Sequence, residues 1–302
     1  MRKLMIFGLS PYFIFMNFYI FSFFGWIYES AFVSIRDRKL INRGFLAGPL
    51  LPLYGTGATL VYVLLRPFEK HPSLLFIFGM VIATVTEYIV AIFLEKLTHA
   101  KWWDYSNEPY NFQGRVALIP SLFWGFLSIF LFDFLEPLVI KMINLVPARE
   151  GKYILTAAVI LTITDLSYTI FTTVNFSRQL EMLYNIRSEI ESQLQDIHFK
   201  PLLEIITAKT NFNSKKETIS QKINMLKEAA SNDAKLLQVE ERIKNYFDKH
   251  SSFLKKRPFN GNRRIVDAFP TMKFVARNKK LVDVKEFLIN LNIRTGKNKE
   301  DN

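Results

Sequence analysis

Long apolar runs dominate the first 175 residues, and amphipathic runs dominate the rest. Residues 11–34, 74–94, 116–140 and 153–175 are each long enough for a membrane helix. A bilayer core of about 30 Å takes about 20 apolar residues. Acids are few in these runs: Glu29 in the first, Glu87 in the second, Asp133 and Glu136 late in the third, and Asp165 near the middle of the fourth. A fifth stretch, 49–66, is shorter and carries Pro49, Pro52, Gly55 and Gly57. The pattern predicts an all-α, polytopic membrane helical bundle of about five spans over residues 1–175. A soluble core rarely holds four such runs with so few charges. Met1-Arg2-Lys3 before an apolar run resembles a signal peptide. The run is too long for a signal h-region, and no small-x-small cleavage site follows, so a retained first helix is expected.

From residue 176 to 302 the periodicity changes. Leu180, Leu183, Ile190, Leu194 and Ile197 recur at three- and four-residue spacings, interrupted by Arg187. That predicts an amphipathic helix over 177–198, with a bend at Pro201. A second amphipathic run covers 215–248, with Ile219, Ile223, Leu226, Leu236, Val239, Ile243 and Tyr246. The two are expected to pack as a helical hairpin; a coiled-coil contact making a homo-oligomer is the alternative.

Composition sharpens the division. The chain is 50% hydrophobic with 29 Phe and no Cys, which excludes disulfides, thiol catalysis and Cys-based metal centres. The net charge of +12 divides into +3 for residues 1–175 and +9 for residues 176–302. Short-loop Lys and Arg do not by themselves orient the bundle. Five spans put the tail on the side of loop 35–48, and Arg178 and Arg187 then lie close to the membrane. By the positive-inside rule the tail is cytoplasmic and the N-terminus outside, although Arg2 and Lys3 oppose this. Residues 255–280 hold Lys255, Lys256, Arg257, Arg263, Arg264, Lys273, Arg277, Lys279 and Lys280. A basic segment beside an anionic leaflet fits lipid contact. Nucleic acid is not the expected partner, since no recognition motif supports it.

Ionisable groups at membrane depth mark candidate sites. Glu87 and Asp165 lie deepest; for both, a structural pairing is as good a reading as a functional one. Asp133 and Glu136 are expected at headgroup level. The segment from Asn42 and Arg43 to Gly55 holds Gly44, Gly48, Pro49, Pro52 and Tyr54. Such backbone at membrane depth is tolerated where it is buried in protein or lines a cavity, as in a broken helix. A tight loop leading into a helix with Pro in its first turn is the plainer alternative. Lys101-Trp102-Trp103-Asp104-Tyr105-Ser106 and Asn111 to Arg115 form a second polar segment, which an aromatic belt also explains. In the predicted topology Glu29, Arg43, Glu95, Asp104 and Arg115 share one cytoplasmic mouth. The phosphate loop Gly-x-x-x-x-Gly-Lys, Gly-x-Ser-x-Gly and His-Glu-x-x-His do not occur in the sequence. His71, His99, His198 and His250 are isolated. Neither a metal nor a cofactor is expected.

Gly25-Trp26-x-x-Glu29, Asn42-Arg43-Gly44-Phe45-Leu46-x-Gly48-Pro49, Pro52-x-Tyr54-Gly55, Glu87-Tyr88, Leu94-Glu95-Lys96, Trp102-Trp103-Asp104-Tyr105-Ser106 and Asn111-x-x-Gly114-Arg115 occur in that order. Together they resemble the ABC-transporter type IV (CmpB-like) family of bacterial membrane proteins, over about residues 18–175. Arg263 to Pro270 is similar to a tail of many members. Ala47 and Leu50 depart from the family pattern. The resemblance implies a permease-type component in the bacterial cell membrane, with substrate or lipid bound by Glu29, Arg43, Glu87, Glu95, Trp103, Asp104, Asn111 and Arg115. Membrane lipids and a separate ATPase subunit are the implied partners. A non-catalytic envelope scaffold recruiting a protein through its tail is the second reading. An intramembrane enzyme acting on a lipid-linked substrate is the third, and the protein is more readily read as not an enzyme.

Overall fold

The computed structural model describes residues 5–193, 212–229, 234–255, 264–276 and 281–290. Arg2, Lys3, Leu194, Ile197, His198, Pro201, Lys256, Arg257, Arg263, Arg277, Lys279 and Lys280 lie outside the described residues. The chain is 76% helical, so the all-α class stands despite a few short strands. It divides into two units: Met1–Leu97 with Trp102–Phe171, and Thr98–Lys101 with Thr172 onward.

The first unit is a membrane helical bundle. Four helices are long and apolar enough to cross a bilayer: Pro11–Asp37, Pro72–Thr98, Leu118–Leu145 and Ala148–Ser192. Helix α1 (Pro11–Asp37) starts with Pro at its first position, where Ser10 Oγ accepts the Phe13 N–H at 3.2 Å. Helix α2 is Pro52–Leu65, and α3 is Pro72–Thr98. Helices α4 (Leu118–Phe130) and α5 (Glu136–Leu145) are joined by a π-helical segment, Leu131–Leu135. Pro137 has no N–H for the helical ladder, and the Glu136 N–H reaches back to Leu131 O. Helix α6 is Ala148–Gln193.

Met16 and Phe21 of α1, Val61, Tyr62 and Leu65 of α2, Leu75, Leu131, Val139 and Ile143 form the bundle core. Phe15, Phe32, Ile89, Phe93, Phe126, Phe134 and Ile163 are exposed. Large apolar side chains that face outward on helices of this composition are lipid-facing. Only 6% of the apolar window of α6 is buried, so that part of the helix meets lipid almost throughout.

The fifth predicted segment differs from a simple span. Its 14-residue helix α2 is about 21 Å long, too short for a bilayer core alone. A non-helical segment, residues 41–51, with bends at 45–49, precedes it.

The second unit is built by the C-terminal part of α6, α7 (Phe212–Ala229), α8 (Ala234–Lys255), a helical turn at 264–268, and α9 (Val284–Asn290). The single run predicted over 215–248 is therefore two helices. Strands β1 (Ala100–Lys101), β4 (Lys273–Val275) and β5 (Leu281–Asp283) form an antiparallel sheet, with Ala100 opposite Phe274 and Phe274 opposite Val282. Strands β2 (Asn111–Phe112) and β3 (Val116–Ala117) belong to the first unit and make a small hairpin. Strands of two or three residues carry no readable alternation, which is why the sequence pattern missed them. Ile265, Val266, Ala268 and Phe269 are buried, so the tail motif 263–270 contributes to the core of this unit.

Candidate functional site

Residues 41–51 run alongside α1 in the opposite direction. The Ile41 N–H donates to Ser34 Oγ at 3.0 Å, and the Arg43 N–H to Ser30 Oγ at 3.1 Å. Trp26 Nε1 donates to Asn42 Oδ1 at 2.8 Å, which also accepts the Gly44 N–H at 2.9 Å. Asn42 Nδ2 donates to Ala47 O at 2.7 Å, folding the segment on itself. The Leu51 N–H reaches Ser22 O at 2.9 Å. Non-helical backbone at membrane depth must find its partners within the protein, and α1 supplies these.

Helix α2 continues the same direction. Gly25 packs on Tyr54, Gly55 on Ser22 and Phe18, Thr59 on Asn17, and Phe13 on Tyr62. The N-terminus of α2 therefore lies near the middle of α1. A Cβ on Gly55 would stand 2.4 Å from Phe18 O, so close backbone approach requires glycine here. The arrangement is a broken crossing: an irregular, non-helical half, then a helical half whose first turn carries Tyr54.

Two carboxylates meet this junction. Tyr54 OH donates to Glu29 Oε1 at 2.7 Å, and Arg43 Nε lies 3.6 Å from Glu29 Oε2. Glu87, 4% exposed, accepts Trp124 Nε1 at 2.8 Å and Tyr105 OH at 3.3 Å. The Tyr54 and Trp124 rings are edge-to-face at 5.4 Å, linking the two carboxylates through one aromatic contact. Burial first, then the charge of Glu87, raises the Tyr105 phenol, which keeps it a proton donor.

The remaining predicted site residues form a second group. Arg115 Nε donates to Glu95 Oε2 at 3.0 Å, and Arg115 also bonds Gln113. Its guanidinium lies 5.9 Å from the centre of the Tyr88 ring. Trp103 Nε1 donates to Arg115 O at 2.9 Å. Asp104 Oδ1 accepts from Ser106 Oγ at 2.6 Å, and Asn111 Oδ1 accepts the Gly114 N–H at 2.9 Å. These last contacts build the loop. The structure thus brings Glu29, Arg43 and Glu87 to one junction, while Glu95, Trp103, Asp104, Asn111 and Arg115 shape the neighbouring loop, which delivers Tyr105.

Three polar elements escaped the sequence reading as a set. Asp165 accepts the N–H groups of Ala47 and Gly48 at 3.0 and 2.8 Å, and so takes the structural pairing of its two readings. Glu136, expected among headgroups, is 1% exposed, and Asn17 Nδ2 donates to both its oxygens at 2.7 and 2.9 Å. Thr59 Oγ1 donates to Asn17 Oδ1 at 3.0 Å. Trp124, 37 residues from Glu87, left no local signal of its role.

The junction and its loop are built from the same segments that carry the sequence motifs, and one family model spans residues 16–170. The chain belongs to the family described as Putative ABC-transporter type IV. The match takes in slightly more than half the chain, and it includes every predicted site residue from Glu29 to Arg115. Comparison with curated proteins and with solved structures finds no match. Membership of this family and four helices long and apolar enough to cross a membrane fit a membrane transport component.

Proposed function

We propose that the protein is a permease-type subunit that binds substrate or a lipid headgroup at the junction of Glu29, Arg43 and Glu87. The observation that carries this reading is the broken crossing. Discontinuous helices place a helix end and unwound backbone at membrane depth, where transporters bind their cargo. Here Tyr54, in the first turn of the half-helix, touches Glu29 directly. Any movement of α2 against α1 alters that contact.

The sequence holds no phosphate-binding loop, so energy comes from a separate nucleotide-hydrolysing subunit. Membrane lipids surround the bundle, and the basic tail faces the cytoplasm in this reading. Purification in mild detergent with crosslinking and mass spectrometry tests it. An ATPase recovered in fixed ratio, with hydrolysis altered by Glu29→Gln, is the expected result. A pure preparation with no such subunit contradicts the permease assignment. Reporter fusions at the C-terminus test the orientation, and an external tail contradicts it.

The second reading, a scaffold that recruits a partner through its tail, is favoured by one observation. The residues from Thr172 onward form a unit with buried aromatic residues of its own, which anchoring alone does not need. Deletion of 176–302 should then abolish the cellular role while membrane insertion persists.

A further inference from the structure

Glu87 is a buried carboxylate whose only partners among the described residues are two neutral donors, Tyr105 and Trp124. Glu29 has Arg43 and Glu95 has Arg115, but no cation pairs with Glu87. Buried charges are normally paired; Glu136 is likewise held among those residues only by the neutral Asn17, but of the two carboxylates Glu87 alone lines a cavity.

Glu87 faces a cavity of about 470 Å³ between α1, α2, α3 and α4. It is the one carboxylate in the wall, and no Lys, Arg or His lines it. The aliphatic hydroxyls of the wall, on Thr86 and Ser128, already donate to carbonyls of their own helices, and the Tyr54 hydroxyl donates to Glu29. Tyr28, Tyr54 and Trp124 stand around the same end, with ring centres 6.4 and 5.4 Å apart in sequence of contact. Aromatic faces around a carboxylate suit an organic cation. The rest of the wall is apolar. Its rim includes Ile27 and Tyr28 of α1 and Phe123 and Phe130 of α4, which are 44–50% exposed on the lipid-facing surface.

We propose that this cavity binds an organic ammonium ion carrying one apolar chain. The head lies against Glu87 within the aromatic wall, the chain fills the apolar part, and entry is sideways from the lipid between α1 and α4. A neutral apolar molecule leaves Glu87 without a countercharge. An anionic head meets Glu87 and finds no cation in the wall. The volume sits in the lower part of the range for small-ligand sites, about 300–1,000 Å³, and suits one chain rather than the two of a bilayer phospholipid. This names the substrate class of the transport site proposed above and rests on that reading for its biological meaning.

The test is equilibrium binding of radiolabelled dodecylamine, dodecanol and dodecanoate to the full-length protein in a nonionic detergent. Gly57 lines the cavity, and a Cβ there would meet nothing within 4 Å. Gly57→Phe therefore fills the cavity without a backbone clash and gives the partitioning baseline. The expected result is dodecylamine binding about tenfold or more tighter than dodecanol, the factor a charge-assisted hydrogen bond supplies. Glu87→Gln should bring dodecylamine to the dodecanol level, and Gly57→Phe should remove both. Equal binding of dodecanol or dodecanoate overturns the proposal. So does amine binding that survives Gly57→Phe, which keeps the test open should Glu87→Gln fail to fold. ATPase recovery is scored on the same membranes. Lost amine selectivity with an ATPase present removes the ligand class alone; amine selectivity with no ATPase keeps the ligand and removes the transport reading.

Discussion

Asp165 Oδ2 accepts the backbone N–H of Gly48 at 2.8 Å, joining α6 to the non-helical half of the broken crossing. Its other oxygen takes the Ala47 N–H at 3.0 Å and Thr169 Oγ1 at 3.2 Å. One carboxylate thus closes two consecutive backbone donors that no helix or strand satisfies. It lies near the middle of an otherwise apolar run, where water cannot replace it.

Asp165→Asn should therefore destabilise the non-helical segment. The amide keeps one acceptor and turns a donor toward a second N–H. Leaving a donor unmet where water cannot reach it costs about 1–3 kcal/mol. Thermal unfolding in detergent, with proteolysis of loop 38–51 as the local readout, checks this. Unchanged midpoint and unchanged cleavage would show that the pair does not hold the segment.

Asn17 and Glu136 should be strongly coupled. Asn17→Leu leaves a carboxyl that is 1% exposed with no donor, and Glu136→Leu leaves Asn17, at 0% exposed, with no acceptor for its amide. Each single change is expected to cost more than the double change, because removing both polar groups removes the unmet need. A double-mutant cycle on thermal stability should give a coupling of about 1–3 kcal/mol. Additive costs would mean that the two side chains act independently.

Most of the membrane unit was legible because apolar length and scarcity of charge act locally. The runs at 11–34, 74–94, 116–140 and 153–175 each became a membrane-crossing helix. The proline- and glycine-rich stretch pointed to irregular backbone, and residues 41–51 are non-helical, with bends at 45–49. What sequence did not carry was which helix satisfies which donor. Asn17 and Glu136 are 119 residues apart, and Ala47 and Asp165 are 118 apart. Those pairings depend on helix rotation and depth, set by packing such as Gly25 against Tyr54. Among the proposed site residues, Glu29 and Arg43 carried charge that spacing could place together. The donors to Glu87 could not be found that way, because Trp124 sits in a run that reads simply as apolar.

Gly55→Ala should loosen α1 from α2. A Cβ there would stand 2.1 Å from Ser22 Oγ and 2.4 Å from Phe18 O. Ser22 can rotate, but the Phe18 carbonyl belongs to the helix and cannot move alone. Overpacking of this kind costs about 1–3 kcal/mol. The Tyr54–Glu29 hydrogen bond, one residue away, should weaken with it. Cysteine pairs introduced at Phe13 and Tyr62 report the separation, and undiminished crosslinking together with an unchanged melting midpoint would contradict the close crossing.

Phe274→Ala should unfold the second unit first. The ring is 1% exposed and lies 5.9 Å from Tyr184 and 5.5 Å from Phe287, both edge-on. It also sits centrally in the small sheet, opposite Ala100 on one side and Val282 on the other. Among the described residues, no longer strand or larger sheet shares that load. Removing a buried Phe costs about 3–5 kcal/mol, a large part of what a small unit has. Phe274→Leu keeps most of the volume and should cost much less. Limited proteolysis of the purified protein should therefore cut residues 264–290 rapidly in Phe274→Ala and slowly in Phe274→Leu. Equal protection in both variants would show that this aromatic contact is not what holds the sheet.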